Sequence, residues 1–157
     1  MNPLAIYQHA LDAVSAAVLA DGFAAYVAMI DLPYLVRLND ADFVLATPAE
    51  LEPTFRARSQ GLARRGGTHY ERVAREAQFQ RTDRIVGRHF THMIAQGERI
   101  APPYAAAAAL VRGADGAWRF TEANYPSSRA DWPLTDETIF GQLALRAAAP
   151  LHGGHPA

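Results

Sequence analysis

The 157-residue chain contains no cysteine and no lysine. Without cysteine there are no disulfides, no thiolate nucleophile, no thiolate metal ligand and no cysteine-held iron–sulfur cluster. Without lysine, Schiff-base chemistry through a side-chain amine is excluded, and so is a Walker-type phosphate loop. All 15 basic residues are therefore arginine. No uninterrupted apolar run approaches the length of a membrane span, and the alanine-rich stretch 101–111 is broken by Pro102 and Pro103. No basic segment opens the chain, so no signal peptide is expected, and the expected location is cytoplasmic.

What is present is an ordinary globular composition, 50% hydrophobic and 20% charged, in a length that suits one domain. The net charge of -1 gives no overall pull towards nucleic acid or an anionic membrane, and neither partner is expected. The charge is unevenly spread. Residues 1–54 hold one arginine against seven acids, 55–99 hold ten against four, and 100–157 hold four against five, or -6, +6 and -1. The basic middle reads either as charge pairing within one compact domain or as an arginine-lined anion site.

Periodicity gives the element order. Leu4, Tyr7, Leu11, Val14 and Val18 recur at helical spacing. Asp21-Gly22 breaks that helix, Asp21 can cap a second one burying Phe23, Tyr26, Val27 and Ile30, and Pro33 stops it. Short apolar runs at 34–38 and 43–46 predict a strand hairpin around Asn39-Asp40-Ala41-Asp42. Thr47-Pro48-Ala49-Glu50 is a helix start with a capping box, and Leu51, Phe55 and Leu62 form the buried face of the helix it opens. Segments 68–79, 84–95, 99–112 and 117–125, separated by short polar turns, predict four long antiparallel strands. The fold class is α+β: a curved antiparallel sheet of about six strands packed against three helices. Residues 1–130 form the domain, and 131–157 a C-terminal helical extension, with Ile139, Leu143 and Arg146 on one helix face, and a flexible tail.

The polar residues on the long strands are the candidates for chemistry. His89 and His92 suit proton transfer near neutral pH, but their spacing of three puts them on opposite strand faces, so a shared metal is not expected. His152 and His155 stand in a Gly/Pro tail, and no metal is assigned there either. Glu122 reads as a buried acid of raised pKa or as one half of a salt bridge to a strand arginine. By strand alternation Glu122 and Asn124 share a face with Trp118 and Phe120. Tyr26, Tyr34 and Tyr104 read as hydroxyls offered to a ligand from an apolar wall, or as core with the hydroxyl reaching solvent. No Gly-x-Gly-x-x-Gly and no Gly-x-Ser-x-Gly occurs, and no cofactor is implied.

The turn Asp21-Gly22 followed by Phe23-Ala24-Ala25-Tyr26, and the hairpin Asp115-Gly116-Ala117-Trp118-Arg119-Phe120, in this order of elements over residues 4–126, resemble the nuclear transport factor two-like superfamily, and within it the SnoaL-like group. The resemblance implies a cone-shaped α+β barrel with a pocket at its mouth, and a homodimer made through the sheet. It does not imply a reaction, since the superfamily holds isomerases, dehydratases, epoxide hydrolases, polyketide cyclases and proteins that only bind. Ketosteroid-isomerase chemistry needs acids over the substrate, and segments 32–38 and 99–112 have none. The expected function is binding of a small, partly hydrophobic molecule. A cofactor-independent isomerase, cyclase or dehydratase working by acid–base catalysis is the alternative, and a non-catalytic dimerisation scaffold the second. A histidine or carboxyl bonded to a tyrosine in an enclosed cavity favours the enzyme.

Overall fold

The computed structural model describes residues 2–142. Helix α1 (Pro3–Leu19) is capped by the Asn2 side chain, which accepts from the Leu4 amide. It buries Tyr7, Leu11, Val14 and Val18, while Leu4, read as part of the same face, is exposed. The short α2 (Phe23–Ala28) is capped by Gly22. Asp21 does not cap it: this residue takes the left-handed conformation, φ 52°, and its carboxylate receives Arg56 at 2.7 Å. Pro33 does not end it either. The helix stops at Ala28, and Pro33 lies within strand β1 (Ile30–Arg37), after a cis peptide bond to Leu32.

Strand β2 (Asp42–Leu45) pairs back on β1, and α3 (Pro48–Arg64) follows with Pro48 at its start. Thr47 stands at the cap position, but its hydroxyl donates to Glu50 instead of accepting from a helix amide, and Glu50 accepts from the Ala46 amide, one residue before the cap, so the expected box does not form. The remaining strands are β3 (His69–Arg81), β4 (Arg84–Ala95), the two-residue β5 (Glu98–Arg99), β6 (Tyr104–Arg112) and β7 (Trp118–Asn124). They make one seven-stranded sheet in the order β2-β1-β7-β6-β4-β3, with β5 on β4; β1 and β7 run parallel and the other pairs antiparallel. The sheet is curved and does not close, and α1 and α3 fill its inner side. The described part of the C-terminal extension holds a 3₁₀ turn, Arg129–Asp131, and a π turn, Thr138–Gln142. Leu134 and Ile139 join the core, whereas Leu143, Arg146, His152 and His155 lie outside the described residues.

Strand alternation fixes what faces the interior. On β4, Ile85, Gly87, His89, Thr91 and Met93 point inward, and Val86, Arg88, Phe90 and His92 outward. On β7 the alternation is reset, because Leu110 pairs with Phe120 but Ala109 with Glu122, leaving Thr121 as an extra residue. Phe120, Ala123 and Tyr125 are consequently buried, and Glu122 and Asn124 lie on the outer face, away from Phe120 with which simple alternation grouped them.

Candidate functional site

The interior of the curved sheet is unusually polar. All six tyrosines of the chain, Tyr7, Tyr26, Tyr34, Tyr70, Tyr104 and Tyr125, are buried there, with His89, Arg58 and Arg72. Arg58 is only 1% exposed and Arg72 9%. Helical spacing places Arg58 on the same stripe of α3 as Leu51, Phe55 and Leu62, so a guanidinium occupies a core position. Arg72 follows Tyr70 by two on β3 and shares its inward face. Gln8 of α1 fixes that stretch: its amide donates to the Arg72 carbonyl at 2.7 Å and accepts from the Ala74 amide at 2.8 Å. This clamp sits beside the β3 bulge between Ala74 and Glu76.

Arg72 Nη2 donates to Tyr70 Oη at 2.7 Å, with the guanidinium 5.1 Å from the centre of that ring. The Arg58 guanidinium lies 5.7 Å from the Tyr125 ring centre. No carboxylate pairs with either arginine among the described residues: the acids that form ion pairs do so with Arg37, Arg56, Arg64, Arg65, Arg81, Arg84, Arg88 and Arg119. Burial disfavours the charge on Arg58, and the phenols of Tyr70, Tyr125, Tyr104 and Tyr26 oppose that effect. For Tyr125 burial alone would push the phenol up, but Arg58 and Arg72 outweigh it and hold the pKa below the ordinary tyrosine value. Burial raises Tyr7, Tyr26, Tyr34 and Tyr104, which stay protonated.

His89 is hydrogen-bonded to Tyr7, Nδ1 to Oη, at 2.7 Å. Burial, then the charges of Arg72 and Arg58, push its pKa down to about 3, so the imidazole is neutral. Val14, Ile30 and Phe120 complete an apolar wall around Tyr26, Tyr34, Arg72, His89 and Tyr125. The free space between these groups is about 20 Å³, room for roughly one water molecule. Tyr104 is buried nearby with its hydroxyl unpartnered.

The other sequence candidates lie elsewhere. His92 is on the outer face, where Arg99 Nη1 donates to its Nδ1 at 2.8 Å. Glu122 is held outside by Arg37 at 3.2 Å and Arg84 at 3.4 Å. A hollow of about 350 Å³ lies over that outer face, lined by Glu76, Gln78, Val86, Arg88, Ala107, Glu122 and Asn124. It is larger than the interior space, but its charges are already paired, Glu76 with Arg88 and Glu122 with Arg84 and Arg37. Among the described residues no group of three metal-ligating side chains occurs, and no helix is long and apolar enough to cross a membrane. Arg58 and Arg72 are the residues sequence reasoning passed over; the signal was present in a helical stripe and a strand alternation that each place an arginine among buried positions.

No family model matches the chain, and no curated protein does. Solved structures do. A Mycobacterium tuberculosis protein of unknown function is 12% identical, covers 90% of this chain and 82% of its own, and gives a TM-score of 0.54. A nuclear transport factor two-like protein of unknown function from Shewanella oneidensis is 11% identical over 78% of this chain and 97% of its own, with a TM-score of 0.57. A protein from Shewanella frigidimarina named as a candidate ketosteroid isomerase is 14% identical over 76% of this chain and 93% of its own, at a TM-score of 0.56. Likeness at these identities concerns the fold, not the chemistry.

Proposed function

From the nuclear transport factor two-like fold of this chain, we infer that it binds a small, partly hydrophobic molecule inside the curved sheet, as a cytoplasmic homodimer. One observation carries this reading: Tyr26, Tyr34, Tyr125, Arg72 and His89 converge on one cavity whose remaining wall is apolar, Val14, Ile30 and Phe120 with Ala107, Ala108 and Ala123. Apolar walls with a few convergent polar groups are the general design of small-molecule sites. The space is narrow, and such filling is what a pure dimerisation scaffold would show. A scaffold, however, needs only apolar filler, and this interior holds two guanidiniums and six phenols. Native mass spectrometry of the purified protein tests the reading, with a ligand-bearing dimer expected. A clean monomer that carries no ligand overturns it.

The Tyr7–His89 hydrogen bond favours a second reading, acid–base catalysis on the bound molecule. With a pKa of about 3 His89 is a weak base as it stands, so this reading requires a bound anion to offset the Arg72 and Arg58 charges and restore its basicity, with Arg72 and Tyr125, which line the same cavity, stabilising an oxyanion. Solvent deuterium incorporation into the ligand, lost in His89→Gln, is the expected result; no incorporation by the unaltered protein excludes this version.

A further inference from the structure

Among the described residues, two positive charges lie inside this fold with no carboxylate beside them. A buried, unpaired ion carries a large desolvation penalty, and proteins ordinarily pair it or replace it. Here the nearest groups are phenols, a neutral histidine and the other arginine. The hydrogen bonds are incomplete as well. Arg58 Nε and Nη2, Arg72 Nε and Tyr104 Oη are all buried and find no hydrogen-bond partner among the described residues. Nε and Nη2 are the two donors on one side of a guanidinium, the edge that takes both oxygens of a carboxylate in parallel hydrogen bonds. Arg58 therefore has both donors of a bidentate edge unpartnered inside the core, while Arg72 is oriented by Tyr70 and by the Gln8 clamp on its backbone.

We propose that the polar interior is a carboxylate receptor: the ligand is a small monocarboxylic acid bound as its anion, its head on the unpartnered edge of Arg58 with Arg72 and Tyr104 completing the coordination, and its apolar body against the tyrosines; binding has to widen the interior, because the existing space of about 20 Å³ is lined by Arg72 but not by Arg58 or Tyr104. The inference rests on the binding reading above and gives that ligand its charge and head group. A planar, singly charged head matches the unpartnered edge.

The test uses the full chain and three kinds of probe at constant ionic strength: benzoate with its neutral isostere benzamide, inorganic phosphate, and chloride. Titration calorimetry and thermal unfolding are read together. Benzoate is expected to bind saturably and raise the melting temperature. Benzamide should bind about 10- to 100-fold more weakly, the size of a lost charge-assisted hydrogen-bond pair. Arg58→Met removes the difference between the two probes and, without any ligand, melts higher than the unaltered protein, because an unpaired buried charge is gone. An arginine with a purely structural role would give the opposite sign in that last measurement. If Arg58→Met does not fold, Arg72→Gln carries the same benzoate–benzamide comparison. Equal binding of benzamide and benzoate overturns the carboxylate assignment and leaves the binding reading standing. Stabilisation by phosphate or chloride alone makes this an inorganic anion site and also overturns it. Failure of every probe removes both.

Discussion

Tyr7 reaches His89 because position 87 has no side chain. A Cβ on Gly87 would meet carbon atoms of the Tyr7 ring at 2.7–2.8 Å, closer than real Cβ contacts. Gly87→Ala is expected to push the ring off β4, break the 2.7 Å bond to His89 and cost about 1–3 kcal/mol, the usual range for overpacking a core. Urea unfolding measures it, and an unchanged midpoint would show that the ring has other room. His89 itself gives a pH signature. It is faced by Tyr7 from α1, Tyr26 from α2, Arg58 from α3, Tyr34 from β1, Arg72 from β3 and Tyr125 after β7. The folded-state pKa of about 3 lies below the ordinary value of 6.5. Between these values the unfolded chain binds a proton that the folded chain refuses, so stability falls as the pH drops, by at most about 1.4 kcal/mol per pH unit. Above pH 6.5 this contribution vanishes. The difference in unfolding free energy between the unaltered protein and His89→Gln isolates it from the carboxylates, and a difference that does not vary with pH from 6.5 to 4 would refute the buried, neutral state.

At the scale of elements, the site depends on how α1 docks against β3. The Gln8 amide closes two hydrogen bonds with the β3 backbone, at Arg72 and Ala74, next to a bulge where the ladder is interrupted. Gln8→Ala leaves that carbonyl and amide to find other partners and is expected to cost about 1–3 kcal/mol. Hydrogen exchange reads it directly: the Ala74 amide should lose protection far more than the amides of β6. Equal loss everywhere would point to general destabilisation instead. The helices and strands themselves were legible, since each has a clear period, and even the alanine run read correctly as a strand, β6 (Tyr104–Arg112), from its flanking prolines and turn. What stayed hidden has physical causes. Helical spacing includes Arg58 in the α3 stripe, but hydrophobic patterning counts an arginine as surface by default. Strand alternation holds only until a bulge, and the extra Thr121 reversed the faces of β7 around Glu122. Pro33 breaks a helix by rule, yet it also fits a strand of which only some amides are needed.

The whole molecule has two faces of opposite character. The inner face of the sheet is covered by helices; the outer face carries the hollow of about 350 Å³, lined by small and charged side chains. Ala105 and Ala107 project outward from β6, and Val86 and Phe90 flank them from β4. The Glu76–Arg88 pair crosses this strip at Arg88, between Val86 and Phe90, and Arg37–Glu122–Arg84 lies at its side. A strip of small and apolar residues with balanced charge is suited to a second copy of the same surface, in which residue i meets residue j and j meets i. This is the surface on which the inferred homodimer would form, and Ala107 is near its middle, opposite Arg88 on β4 and Asn124 on β7. Ala107 also borders the small interior cavity, but it is paired with outward-facing Arg88 and Asn124, so Ala107→Arg puts a long charged side chain on the outer face. The expected result is a monomer by native mass spectrometry that still binds benzoate as the unaltered protein does, because Arg58 and Arg72 belong to one chain. A variant that remains dimeric would move the interface off this face, and one that turns monomeric and loses binding would show that the partner helps to form the site.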